Sequence, residues 1–497
     1  MSEAPLGNDP EPVCVPLEQL LAGKPPGAAV DPREVARRAA SAGRVLVVLD
    51  DDPTGTQSVA DLPVLLTWTV EAFAWAFAQG TPAVYVMTNS RSLDGRHAER
   101  RNREVARAAF AAAEKAGVTV DFVSRSDSTL RGHFPAEPAT LAQEVSAHDG
   151  RPVDGVVIVP AFGDAGRITV DAVHYAGCPT AGFTPVGQTE YARDATFGYT
   201  RSDLREWVAE KTAGAIPAER VAWIPLAVLR TDPTQTAAIL AGLAHARPVV
   251  VDIVDEDDLR RLALALYDAE AAGRRFIYRV APPFPRAVIG QPPRAPLSAA
   301  EVAAIRDGAV GAGSGAGDAS GRAAGGLIVV GSHVSTATRQ LGALVVQDHP
   351  EVVEIDVGTV LLGGVGHVAD VARRVAEALP RGNVVVTTSR SLVRGDDAEE
   401  SLAIARQVSA AVVEVVRRVL ARTPPRFVVA KGGITSSDVA AKGLSIERAM
   451  VRGPMLPGIV SLWEPVDGPA KGIPYVVFAG NVGGPTSLAE VVRTLSA

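Results

Sequence analysis

Arg125, Asp127, Ser128, Thr129 and Arg131 fall within a span of seven residues, directly after the apolar run Val118–Val123. Two guanidinium groups offer forked donors to a carboxylate or phosphate, the Ser and Thr hydroxyls add donors, and the aspartate accepts from a hydroxyl of a bound molecule. This is chemistry for gripping a small hydroxylated anion. The same residues could instead close a strand-to-helix turn on themselves, with Ser or Thr capping a helix that Pro135 starts. A second cluster, Asp50-Asp51-Asp52, follows the run Val45–Leu49 and precedes Pro53-Thr54-Gly55. Three carboxylates at a strand end can bind Mg2+, orient hydroxyls or take a proton from one of them, and an acidic turn with an aspartate cap is the plainer alternative. Arg91, after Thr88-Asn89-Ser90, and the pair Arg167 and Thr169 supply further anion-binding candidates.

Each of these residues lies just beyond a short apolar run. Runs at 44–49, 83–87, 118–123 and 155–159 read as strands, separated by helical stretches at 70–79 and 94–117. Alternation of this kind makes βαβ units and a mainly parallel sheet, whose ligands sit at the carboxyl ends of the strands. A helix near 31–41, a strand at 249–254 and a helix at 256–272 extend the pattern. The stretch Tyr175–Tyr199 shows little periodicity and reads as a lid, with Gly187, Gln188, Thr189, Arg193, Asp194 and Phe197 placed to close over a ligand. His174 has no second metal-binding side chain at ligand spacing and reads as a structural histidine.

Between Pro292 and Gly325 the composition shifts, and the Gly/Ala-rich run Gly308–Gly325 reads as a flexible connection. No strand precedes it and no Lys-Ser or Lys-Thr follows, so it meets neither nucleotide-loop fingerprint. Beyond it, a strand at 326–330 leads to Gly331-Ser332, and Ser335 falls at the start of a helix, where free amides suit a phosphate. Further strands are expected at 352–357 and 383–388. The strand Phe427–Ala430 runs into Lys431-Gly432-Gly433-Ile434-Thr435-Ser436, and Tyr475–Phe478 into Ala479-Gly480-Asn481-Val482-Gly483. Strand, glycines, hydroxyl residues and helix together form a phosphate cradle, and two such loops in one small domain suit a nucleotide; singly, each is also an ordinary tight turn.

The chain of 497 residues is too long for one core, and its 47% hydrophobic and 21% charged content is ordinary for a globular protein. The expectation is an α/β protein of two domains with mainly parallel sheets flanked by helices and a ligand cleft between them: an N-terminal arm at 1–42, a ligand-binding domain at 43–290, a linker at 291–325 and a second domain at 326–497. A net charge of −7 without a basic run argues against nucleic acid as a partner. Two cysteines, Cys14 and Cys178, give no disulfide framework, and no apolar stretch is long enough to span a membrane. A cytoplasmic protein with no membrane partner is expected, with a homo-oligomer left open.

Taken together, Asp51-Asp52-Pro53-Thr54-Gly55, Ser126–Gly132, Gly166-Arg167 with Thr169, Gly187-Gln188-Thr189 with Asp194–Phe197, Gly331-Ser332 with Ser335, Gly432-Gly433 with Thr435-Ser436, and Gly480-Asn481 with Gly483 resemble the four-carbon acid sugar kinases. The resemblance runs from about Val45 to Leu495. It implies a sugar-acid-binding domain followed by a nucleotide-binding domain, ATP with Mg2+ as cofactors, and a sugar acid such as 3-oxotetronate, threonate or erythronate as substrate. The implied substrate site contains Asp51, Asp52, Arg91, Asp127, Ser128, Thr129, Arg131, Gly132, Arg167 and Thr169. The implied ATP site contains Ser332, Ser335, Gly432, Gly433, Ile434, Thr435, Gly480 and Asn481. Asp52, Asp127 and Arg131 are the expected catalytic groups, with either aspartate as the base. A sugar-acid dehydrogenase lacks its dinucleotide fingerprint here, and a non-catalytic sugar-acid-binding protein is the other alternative.

Overall fold

The computed structural model describes residues 14–311, 321–332, 334–389, 398–480 and 482–497. The chain divides into two compact units: residues 1–42 with 122–290, and residues 43–121 with 291–497. Both are α/β, as the alternation of apolar runs and helical stretches predicts.

In the first unit the strand Thr119–Arg125, which enters at Phe122, lies beside Phe276–Val280, then Gly155–Val159, Arg247–Val251 and Ala222–Ile224, and the pairs within it are parallel. Their Val and Ile side chains are buried on both faces, which is why these strands read as continuous apolar runs. Helices Ala136–Asp149 and Glu256–Ala271 cover them. The segment expected to be an irregular lid is largely structured: Arg167–Val170, Val173–Cys178 and Gly182–Pro185 form a three-stranded antiparallel sheet, followed by short turns at 186–188 and 190–193. Strands of four to six residues, one of them containing Gly177, are too short for their alternation to be recognised in the sequence.

In the second unit ten strands follow one another among the described residues, from Glu351–Ile355 through Val384–Thr388, Leu327–Val330, Val428–Lys431 and Tyr475–Phe478 to the hairpin Ile459–Pro465 and Arg448–Leu456, then Leu62–Leu65, Ala83–Met87 and Arg44–Asp50. The hairpin joins its neighbours in antiparallel pairing; the remaining pairs are parallel. Sequence reading misses the hairpin and the strand Leu62–Leu65. Both include prolines or a Gly453 bulge that mask the period of two. The Gly/Ala-rich run begins in the helix Ala299–Gly311, so its first residues are helical; residues 312–320 lie outside the description. Thus the acidic loop after Arg44–Asp50 belongs to the same compact unit as the glycine loops.

Candidate functional site

Four groups of residues, each at the carboxyl end of a parallel strand, meet in the second unit. Gly331 follows Leu327–Val330, and a Cβ built on it would lie 2.3 Å from Thr435 Oγ1. Gly432 follows Val428–Lys431 with φ 125° and ψ 144°, a conformation open essentially to glycine, and its amide donates to Phe478 O at 2.8 Å. A Cβ on Gly480 would meet Ser332 Oγ at 2.7 Å, and one on Gly433 would lie 3.0 Å from Asp52 Oδ2. Gly331 and Gly480 are therefore required by close approach, and Gly433 makes a tight one: side-chain oxygens of one loop rest on the bare backbone of another. Gln340, buried in the helix Ser335–Asp348, donates to Val482 O at 2.9 Å and Gly484 O at 2.8 Å, fixing the last loop. No side chain caps that helix at Val334, which leaves its first amides, at exposed Ser335, to meet a ligand or water. Asn481 and the side chain of Ile434 lie outside the described residues.

The acidic loop is anchored in the same place. Arg91 makes a forked pair with Asp51, Nη2 to Oδ1 at 2.6 Å and Nε to Oδ2 at 3.0 Å, and its Nη1 stands 3.6 Å from Asp52 Oδ2. Asp52 caps the turn Pro53–Ser58, accepting from Thr54 N at 3.0 Å and Thr54 Oγ1 at 2.6 Å. Asp51 thus neutralises Arg91, while Asp52 turns its second oxygen to Gly433. Below them lies a residue that sequence reading passes over. Lys431 is fully buried, donates to Ala479 O at 2.7 Å and Gly480 O at 3.4 Å, and stands 3.9 Å from the Phe478 ring centroid. Burial pushes its ammonium down to about 7.

The first unit holds the arginine-rich loop. Leu130 (φ 69°) and Gly132 (φ 120°) turn the chain sharply between Arg125 and the helix Ala136–Asp149. The loop's carbonyls are taken by side chains from other elements: Arg279 donates to Asp127 O at 3.4 Å and Arg131 O at 3.2 Å, Tyr199 Oη to Thr129 O at 2.7 Å, and His174 Nε2 pairs with Ser128 O at 2.8 Å. A carbonyl can only accept, so Nε2 carries the proton and Nδ1 accepts from Thr169 Oγ1 at 2.9 Å. His174 is a buried structural histidine, as its isolation in the sequence predicts, and burial holds its imidazole down at about 4. Thr169, fully buried, spends its hydroxyl on that ring.

Asp127 accepts from Arg131 Nε at 2.7 Å and from Thr129 Oγ1, and Arg131 Nη1 lies 3.7 Å from Asp194. Tyr191 joins the two arginines: the guanidinium carbons of Arg131 and Arg167 each stand 5.6 Å from its ring centroid, and Arg167 Nη2 donates to its hydroxyl at 3.3 Å. Asp252 pins the hairpin that carries Arg167, accepting from the amides of Asp171 and Ala172 at 2.8 Å, and burial raises its carboxyl to about 6. Of the residues expected in one substrate site, Asp127, Ser128, Thr129, Arg131, Gly132, Arg167 and Thr169 gather here, whereas Asp51, Asp52 and Arg91 gather with the glycine loops in the other unit. Nothing in the spacing of Tyr191, Tyr199 and Arg279 marks them in the sequence, and Lys431 heads the run Lys431-Gly432-Gly433 without a role of its own there.

An arginine-bearing loop in one unit and a glycine-lined cradle of strand-end loops in the other belong to a two-unit α/β protein. A family model described as a sugar-binding N-terminal domain matches residues 46–288, and one described as a nucleotide-binding C-terminal domain matches residues 327–488. The chain belongs to the family with this paired architecture, that of the four-carbon acid sugar kinases. No curated protein matches the sequence. Among solved structures, a Salmonella typhimurium LT2 protein provisionally described as a tRNA synthase superposes with a TM-score of 0.64 at 17% identity, over 90% of this chain and 99% of that one. A Haemophilus influenzae protein from a family of unknown function gives 0.58 at 16%, over 90% and 100%. At these identities the likeness is one of fold. No group of three metal-binding side chains occurs among the described residues, and none of their helices is long and apolar enough to cross a membrane.

Proposed function

We propose that the protein transfers the terminal phosphoryl group of ATP to a hydroxyl of a four-carbon sugar acid of the threonate, erythronate or 3-oxotetronate type. The observation that carries this reading is the convergence of Gly331, Gly432, Gly433 and Gly480 with Asp52 in one cradle. Phosphoryl transfer asks for positioning and charge stabilisation rather than covalent chemistry, and backbone amides that close on phosphates supply both. Arg131 and Arg167, spaced by Tyr191, would hold the acid's carboxylate, and Asp127 would orient Arg131 rather than act as base. Asp52, whose second oxygen faces Gly433, is the better candidate to orient and deprotonate the attacking hydroxyl. The donor set fits a Mg2+ held chiefly by the nucleotide's phosphates, since Asp51 is engaged by Arg91 and Asp52 by Thr54. The ion would neutralise phosphate charge.

The test is ADP release from Mg-ATP across a panel of threonate, erythronate and 3-oxotetronate. Turnover on one member is expected. Asp52→Asn should cost about a hundredfold or more in kcat with ligand binding largely kept, whereas Asp127→Asn should act mainly on KM for the acid. Absence of ATP binding would remove the kinase reading, and two mild effects would remove both aspartates as base.

A further inference from the structure

Lys431 is the last residue of the strand Val428–Lys431, in a position where its strand neighbours are Val and Ala. Its ammonium has no exposure to solvent and lies over the Phe478 ring, held by the carbonyls of Ala479 and Gly480. Ionisable groups on the surrounding elements are engaged elsewhere. Asp438 pairs with Lys442 at 2.7 Å, Tyr475 Oη donates to Ser436 O at 2.5 Å, and Asp52 caps Thr54. None of these pairs gives the lysine a counter-ion, and burial pushes its ammonium down. An ammonium removed from water without an anion is costly, and an apolar side chain of similar length would fill the space without that cost. Its two carbonyl acceptors belong to the loop that carries Gly480, and its own strand leads into Gly432. It therefore ties together two of the loops that line the cradle.

We propose that Lys431 is the positioning residue of this cradle and its latent countercharge: it latches Ala479 and Gly480 to the strand end that leads into Gly432, and it takes up one proton from solvent when a polyphosphate fills the site. The inference rests on the nucleotide reading of this unit. The empty cradle tolerates a neutral amine, because burial favours loss of its proton near neutral pH. A bound polyphosphate places two or more negative charges close by in a medium of low dielectric and restores the ammonium.

The experiment is calorimetric titration of the full chain with Mg-ADP, and separately with inorganic tripolyphosphate, at pH 8 in buffers of different ionisation enthalpy. At this pH the phosphates of ADP have already lost their own protons, so the proton count is read from Mg-ADP, and tripolyphosphate tests binding alone. The expected result is an uptake of roughly half to one proton per ligand bound, and an affinity that falls by up to about tenfold per unit as pH rises toward 9.5. Lys431→Met should bind more weakly, with no proton uptake and a flat profile over that range. Binding to the natural protein without proton uptake would overturn the inference and leave the nucleotide reading standing; no binding of either ligand would overturn both. If the methionine variant does not fold, the proton count and pH profile of the natural protein still decide.

Discussion

The glycine cradle of the second unit and the arginine loop of the first are both built on loops at strand ends, yet they are made of different material. In the cradle the shape comes from backbone: Gly331 and Gly480 admit Thr435 and Ser332 at distances no Cβ would permit, Gly432 holds a φ of 125°, and Gly433 lies close against Asp52. In the arginine loop it comes from side chains, with Arg279, Tyr199 and His174 each taking a carbonyl and Asp127 and Tyr191 aiming Arg131 and Arg167. A backbone-built site suits a ligand recognised by its phosphates, which every nucleotide carries. A site built from side chains can be changed one residue at a time, and it is there that a choice among sugar acids would be made.

The comparison can be broken most sharply at Gly432. Alanine there would be forced into φ 125°, at a cost of about 1–3 kcal/mol, so nucleotide binding should weaken about tenfold to a hundredfold while sugar-acid binding stays unchanged. Titration of each ligand separately checks this, and a comparable loss of sugar-acid affinity would deny the independence of the two regions.

Next in size are opposite responses to pH. The folded imidazole of His174 sits near 4 against an ordinary 6.5, so between these values the unfolded chain binds a proton that the native one refuses. The stability this contributes to the first unit is therefore complete above about pH 6.5 and is lost as pH falls toward 4, on the order of 3 kcal/mol. For Lys431 the depression lies between about 7 and 10.5, and by the same sign the second unit should gain stability as pH rises through that window. Hydrogen exchange resolved by peptide separates the units; His174→Asn should flatten the acid limb of the first alone.

The smallest effect is expected at Tyr191. Phenylalanine keeps the ring between the two guanidinium groups and removes only the acceptor for Arg167 Nη2, so KM for the acid should rise about twofold to fivefold with kcat and nucleotide affinity held. A fall in kcat equal to the rise in KM would give the hydroxyl a part in the reaction beyond spacing.

Much of the parallel framework could be read from the chain, because strands buried on both faces leave unbroken apolar runs such as Val45–Leu49 and Gly155–Val159. The antiparallel pieces could not: the hairpin Arg448–Leu456 and Ile459–Pro465 is interrupted at Gly453, and Arg167–Pro185 consists of strands of six residues or fewer. Of the candidate site, the Asp, Arg and glycine loops are the part that local pattern announces. Arg279, Tyr199 and Tyr191 act on the 127–131 loop from positions 60 or more residues away and carry no local signature.

Local sequence determined that loops rich in Gly, Asp and Arg would stand at the ends of buried strands, since strand burial and turn chemistry depend on neighbours in the chain. Tertiary structure decided which loops meet. It put Asp52 against Gly433, nearly four hundred residues away in sequence, and left Asp127 and Arg131 in the other compact unit. It also enclosed Lys431 beneath the cradle. Burial and long-range pairing are properties of the packed chain, and a lysine written beside two glycines has the same spelling whether its ammonium ends in water or under Phe478.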